Sequence, residues 1–129
     1  MVRILVALLL FAPMGASAQA PFRLPSGNIY CAVQQGVLIC TVGEFSYAIP
    51  PRPPNCDALW GNVVRLDGTG AARLICAGEP GETWRDPVLG YGQAWQGPGM
   101  TCTSARTGLR CQNAEGRGFE LARARLRFF

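Results

Sequence analysis

An unbroken apolar run from Ile4 to Ala12 opens the chain, and every later apolar stretch is short or alternates with polar residues. The two patterns predict different fates. Met1-Val2-Arg3 places one positive charge ahead of the run, Pro13 and Gly15 break it, and Ala16-Ser17-Ala18 follows. A charged start, an apolar centre and a small-residue end are the order of a secretory signal peptide. Residues 1–18 are therefore expected to be removed by a cut after Ala18, with Ala18 and Ala16 as the small residues before it. A cut after Ala20 would set Pro21 just past the scissile bond. A spanning helix needs about 20 apolar residues, roughly twice this run, so no transmembrane segment is expected in the mature form. Cys31, the first cysteine, lies too far along to be acylated at the cleavage site.

Beyond residue 18 the pattern predicts strands at short spacing and no long helix. Asn28 to Val33 and Val37 to Val42 read as a first hairpin, with Gly36 able to take the positive φ of a tight turn. Glu44 to Ile49 alternates polar and apolar, as a half-buried strand does. Pro50-Pro51-Arg52-Pro53-Pro54 then imposes an extended link. Asp57 to Trp60 reads as a single helical turn. Asn62 to Leu66 and Ala71 to Ala77 form a second hairpin around Asp67-Gly68-Thr69-Gly70. Residues 78–99, rich in Gly and Pro, read as a long loop. Met100 to Ser104 and Gly108 to Asn113 form a third hairpin, Gly116-Arg117-Gly118 a turn, and Phe119 to Phe129 one last strand. The fold expected is all-β: a small barrel or sandwich of about seven or eight short antiparallel strands in hairpins, one domain over residues 19–129.

Cysteine usage says what holds so short a chain together. Six cysteines lie beyond the signal: Cys31, Cys40, Cys56, Cys76, Cys102 and Cys111. An even count in a small exported domain reads as a disulfide framework. Cys31 and Cys40 have eight residues between them, as do Cys102 and Cys111, and each pair brackets a predicted hairpin turn, with Gly108 serving the second as Gly36 serves the first. Facing positions of a hairpin lie within bridging distance. The pairs expected are 31–40 and 102–111, which leaves 56–76. The stretch from Gly27 through Cys31, Gly36, Cys40 and Gly43 to Phe45 is echoed from Gly99 through Cys102, Gly108, Cys111 and Gly116 to Phe119, as in a duplicated hairpin unit.

Charge divides the chain unevenly. All twelve basic residues are Arg, and Lys is absent. Residues 19–105 carry five Arg and six acids, whereas residues 106–129 carry Arg106, Arg110, Arg117, Arg123, Arg125 and Arg127 against Glu115 and Glu120. In the last strand Arg123, Arg125 and Arg127 alternate with Ala122, Ala124, Leu126 and Phe128, giving one buried face and one row of guanidinium groups. Those arginines would face lipid in an outer-membrane barrel, which excludes that reading of the terminal Phe129. A basic end attracts anionic surfaces. For an exported protein the expected partner is an anionic envelope component or a protein, and not nucleic acid.

The placement of Phe22, Pro25-Ser26-Gly27-Asn28-Ile29, Cys31, Pro51-Arg52-Pro53, Cys56 and Trp60-Gly61 continues through Leu89-Gly90-Tyr91-Gly92, Trp95, Gly99 and Cys102. It ends in Gly108-Leu109, Cys111-Gln112-Asn113 and Gly118-Phe119. This series resembles a family of short secreted bacterial Cys-rich domains of unknown function, from actinobacteria and alphaproteobacteria. The resemblance implies a fold and carries over no catalytic or binding residue.

Most chemistry is excluded by composition. With no His there is no Ser-His-Asp or Cys-His catalysis, and with no Lys no Schiff base. No Cys-x-x-Cys spacing supports a metal or redox dithiol, and no Gly-rich phosphate loop precedes a helix. No cofactor and no metal is expected, and Asp67 reads as a turn residue. Glu79, Glu82 and Asp86 share the 78–99 loop with Trp84, Tyr91 and Trp95, so a carboxylate-dependent cell-wall glycan hydrolase is conceivable. The reading preferred is a non-catalytic, secreted or periplasmic binding or envelope-associated domain. Its candidate surface comprises Trp84, Tyr91, Trp95, Arg123, Arg125 and Arg127. An inhibitor of an envelope-targeting enzyme such as a lysozyme is the alternative.

Overall fold

A computed structural model describes residues 20–129; the signal peptide expected over residues 1–18 lies outside them. The described residues contain ten strands and no helix. They are β1 (Phe22–Arg23), β2 (Ile29–Gln34), β3 (Val37–Val42), β4 (Val63–Leu66), β5 (Arg73–Leu74), β6 (Ala94–Gly97), β7 (Met100–Ala105), β8 (Gly108–Asn113), β9 (Gly118–Ala122) and β10 (Arg125–Phe128). All strand pairs are antiparallel and follow chain order: β1 to β5 form one five-stranded meander, β6 to β10 a second. No barrel closes; the arrangement is sandwich-like.

The two meanders repeat one plan. In each, the second and third strands form a hairpin whose cysteines face one another, Cys31 opposite Cys40 and Cys102 opposite Cys111. Both pairs are bridged at a Cα–Cα distance of 4.1 Å. Gln35 and Gly36 both take positive φ, 53° and 78°, which matches the twist of a two-residue hairpin. The second hairpin turns at Arg106-Thr107, and there Gly108 carries φ 129°. A Cβ on Gly108 would run into the Leu121 carbonyl and Ala122 of β9. The third bridge, Cys56–Cys76, closes a 20-residue separation outside the hairpins.

Inward-facing residues from both sheets form one core, including Phe22, Ile29, Leu38, Val64 and Leu66 from the first and Trp95, Met100, Leu109, Phe119 and Leu121 from the second. The hydrophobic alternation along each strand places them there. A polar clamp joins the sheets at one end. Buried Asn113 donates from Nδ2 to the carbonyls of Asp67 (3.1 Å) and Gly70 (2.8 Å), and its Oδ1 accepts from the amides of Glu115 and Arg117, both at 3.1 Å. Glu115 adds a carboxylate acceptor for the Gly70 amide at 2.9 Å. Asn113→Ala strands donors and acceptors on both sides of the clamp. It should cost about 2–3 kcal/mol, read as a lowered urea midpoint at unchanged m-value.

Four sequence expectations are corrected. Glu44 to Ile49 forms no strand. The Asn28 side chain binds both the carbonyl and the amide of Glu44 (2.9 and 2.7 Å) and steers the chain off the sheet. Phe45 then stacks on Tyr47 at 4.7 Å, and the Tyr47 hydroxyl donates to the Gly61 carbonyl at 2.7 Å. Burial pushes the Tyr47 phenol up to about 12. Asp57 to Trp60 is not helical: Leu59 forms an antiparallel bridge with Ala77 beside the Cys56–Cys76 disulfide, which holds the segment extended. Residues 78–99 are not all loop, because β6 lies within them and pairs with β7. Phe119 to Phe129 is not one strand: the chain reverses at Arg123-Ala124, so β9 and β10 pair with each other. The reversal keeps the alternation, since Leu126 falls opposite Leu121 and Arg127 opposite Glu120.

Candidate functional site

The hairpin at Arg123-Ala124 sorts the three alternating arginines onto two surfaces. Arg125 and Arg127 stand two apart on β10 and share its outer face. In register, Arg110 of β8 lies opposite Glu120 of β9, and Glu120 opposite Arg127 of β10. The three guanidinium groups converge on one carboxylate. Arg110 Nη1 and Arg127 Nη2 reach Glu120 Oε1 at 2.7 and 2.8 Å, and Arg125 Nη2 reaches Oε2 at 3.3 Å. The Phe129 ring lies beneath Arg110 at 4.1 Å and Arg127 at 5.4 Å, and Arg117 Nε donates to the Phe129 carbonyl at 3.3 Å. Three cations share one anion, so the face keeps an excess of positive charge.

Hydrogen bonds and charge from Arg127, then Arg110 and the charge of Arg125, hold the Glu120 carboxyl down at about 2. A carboxylate depressed in the fold contributes stability above its ordinary value of 4.5 that disappears as pH falls towards 2. Glu120 therefore stays charged throughout the neutral and mildly acidic range.

Arg123 sits elsewhere. Together with Arg106 it lines an open groove of about 760 Å³, where the turns of both sheets meet; Glu44 and Tyr91 also border it. Arg123 Nη2 pairs with Glu44 Oε2 at 2.6 Å, and the Arg123 carbonyl accepts from the Ser46 amide at 2.8 Å. Arg106 lies over the Tyr91 ring at 5.1 Å.

The sequence-predicted aromatics separate. Trp84 is 60% exposed, with the Arg85 guanidinium over its ring at 4.3 Å. Tyr91 reaches the groove. Trp95 is corrected: at 9% exposure it packs against Phe22 (5.2 Å between centroids), with its indole N–H donated to the Ala20 carbonyl at 3.1 Å. It is a core residue because β6 pairs inward-facing with Cys102. Glu82 and Asp86 border a separate hollow of about 250 Å³ beside Tyr30, whose phenol is raised by burial and then by the charge of Glu79. No cluster of metal-ligating side chains occurs among the described residues. No helix among them is long and apolar enough to cross a membrane.

Arg106, Arg110 and Glu120, part of the basic end but not of the candidate surface expected from the sequence, also belong to these surfaces, as do Glu44 and Phe129. The signal for Arg110 and Glu120 was present: each alternates with buried neighbours, so each faces outward. Which outward residues meet depends on strand register, and the undivided last strand concealed it.

Fold and surface together define a disulfide-stapled, sandwich-like β domain with an arginine face. The chain belongs to the family of unknown function DUF6636, whose model matches residues 1–129. Neither a curated protein nor a solved structure matches the chain significantly.

Proposed function

We propose that this is an exported, non-catalytic domain that binds an anionic component of the cell envelope through the arginine face of its second sheet. The carrying observation is the convergence of Arg110, Arg125 and Arg127 on the single carboxylate of Glu120. Guanidinium groups pre-positioned by a carboxylate and an aromatic ring lose less freedom on meeting a second anion. Export is supported by the apolar start with its small-residue end, and by three disulfides, which persist in oxidising compartments. The non-catalytic reading is supported by the exposure of Glu79 and Glu82, since glycoside hydrolysis sets one desolvated acid against a second carboxylate.

Retention of the oxidised domain on anionic vesicles and on immobilised anionic glycans tests the reading, and the arm that retains it names the component. Arg125→Ala with Arg127→Ala should weaken retention at least about tenfold, as loss of close charge pairs does. Equal retention of the double variant, or no retention on either support, contradicts it. Clearing of peptidoglycan that Glu82→Gln abolishes would instead establish a hydrolase.

A further inference from the structure

We infer that the groove between the turns is a separate binding site, and that it takes an acidic saccharide: a sugar ring bearing a carboxylate. The site does not rest on the outer-face reading, because Arg106, Arg123, Glu44 and Tyr91 line the groove and Arg127 does not.

Arg106 carries the argument. Among the described residues it has no carboxylate partner, in contrast to Arg110, Arg123, Arg125 and Arg127. Its guanidinium lies over the ring of Tyr91. An aromatic ring steadies a guanidinium without consuming its N–H donors, and those donors match a carboxylate in a two-bond fork. An unneutralised, steadied guanidinium bordering a groove is a receptor for a planar anion.

The surrounding groups specify what carries that anion. Glu44 and Arg123 pair across the groove with side chains 74% and 68% exposed, so water already competes for both. Ring hydroxyls can donate to Glu44 and accept from Arg123. Thr107 and Ser26 add hydroxyls at the border. Tyr91, 44% exposed, offers apolar surface for the C–H face of a sugar. Ligand sites of this kind combine an aromatic wall with a few placed polar groups.

A peptide fits less well. Turns and strand ends border the groove, and no residue of the edge strands β1, β5, β6 or β10 lines it, which removes strand addition as a recognition mode. Leu24 and Ile29 line it but are buried, at 4% and 5% exposure, so no open apolar pocket awaits an anchoring side chain.

The test is an amide-resolved NMR titration of the oxidised domain with an oligogalacturonate, the neutral galactose oligomer of equal length, and acetate. The expected result is saturable shifts at residues 26–28, 44, 91, 105–108 and 122–124, present with and without the outer-face arginines. The acidic oligomer should bind at least about tenfold tighter than the neutral one, and acetate more weakly than either oligomer. Arg106→Ala and Tyr91→Ala should each lose about tenfold, Arg106→Lys should recover only part, and thermal unfolding should be unchanged in all three. In Arg125→Ala with Arg127→Ala the shifts at the groove residues should titrate with the parent's affinity, which separates this site from the outer face. The inference is overturned by equal affinity for acidic and neutral oligomers at the groove residues, by acetate matching the acidic oligomer there, by shifts that map only to Arg110 and Arg127, or by no shifts.

Discussion

Full reduction should leave this domain largely unfolded, with its far-UV dichroism collapsed at room temperature. Each bridge contributes roughly 3 kcal/mol by constraining the unfolded chain, and three together approach the roughly 5–15 kcal/mol that stabilises an ordinary domain. Little else substitutes for them. β1 and β5 are two residues long, no helix covers either sheet among the described residues, and the link over residues 50–54 forms no strand. The bridges should also fall in order. Cys76 is solvent-exposed, whereas Cys31, Cys40, Cys102 and Cys111 are buried within their hairpins. Thiolate attack needs access to sulfur, so mild reductant should open Cys56–Cys76 first and leave the hairpin bridges until the core opens. Mass-resolved alkylation during stepwise reduction reads that order; native-like dichroism after complete reduction would contradict the account.

Trp95→Ala should destabilise the domain by about 3–5 kcal/mol. The indole fills space between Phe22 of the first sheet and the backbone at Gly97 of its own strand, where no Cβ would fit beside the ring. Its removal leaves a cavity where the two sheets meet and frees the Ala20 carbonyl. Trp84→Ala, at an exposed ring covered by the Arg85 guanidinium, should change stability by no more than about 0.5 kcal/mol. Urea unfolding of the two variants side by side distinguishes a core residue from a surface one; equal losses would contradict the assignment.

These two tryptophans show what the sequence could carry. Both stand in a Gly- and Pro-rich stretch, and local composition treats them alike. Only the pairing of β6 with β7 separates them, and pairing is a long-range property. Hairpins were legible where turn chemistry and facing cysteines agreed, as at Gln35-Gly36 between Cys31 and Cys40. Legibility failed where a side chain overruled a backbone pattern. Asn28 captures Glu44 and dissolves a strand that alternation alone would draw. It also failed at Arg123-Ala124, a reversal without Gly, Pro, Asn or Asp to mark it. The arginine excess of the last 24 residues was plain in the sequence. Its division into an outer face around Glu120 and a groove around Arg106 was not, because that division follows from the unmarked turn.

In the proposed function, excess positive charge on the outer face of the second sheet recognises an anionic envelope component. The most direct measurement is the affinity of the oxidised domain for the anionic support that retains it, over a salt series from about 0.05 to 0.5 M, where screening shortens from over 10 Å to a few ångströms. Affinity should fall steeply with salt, and much less steeply for Arg125→Ala with Arg127→Ala. Affinity independent of salt, or an identical slope for the double variant, would contradict it.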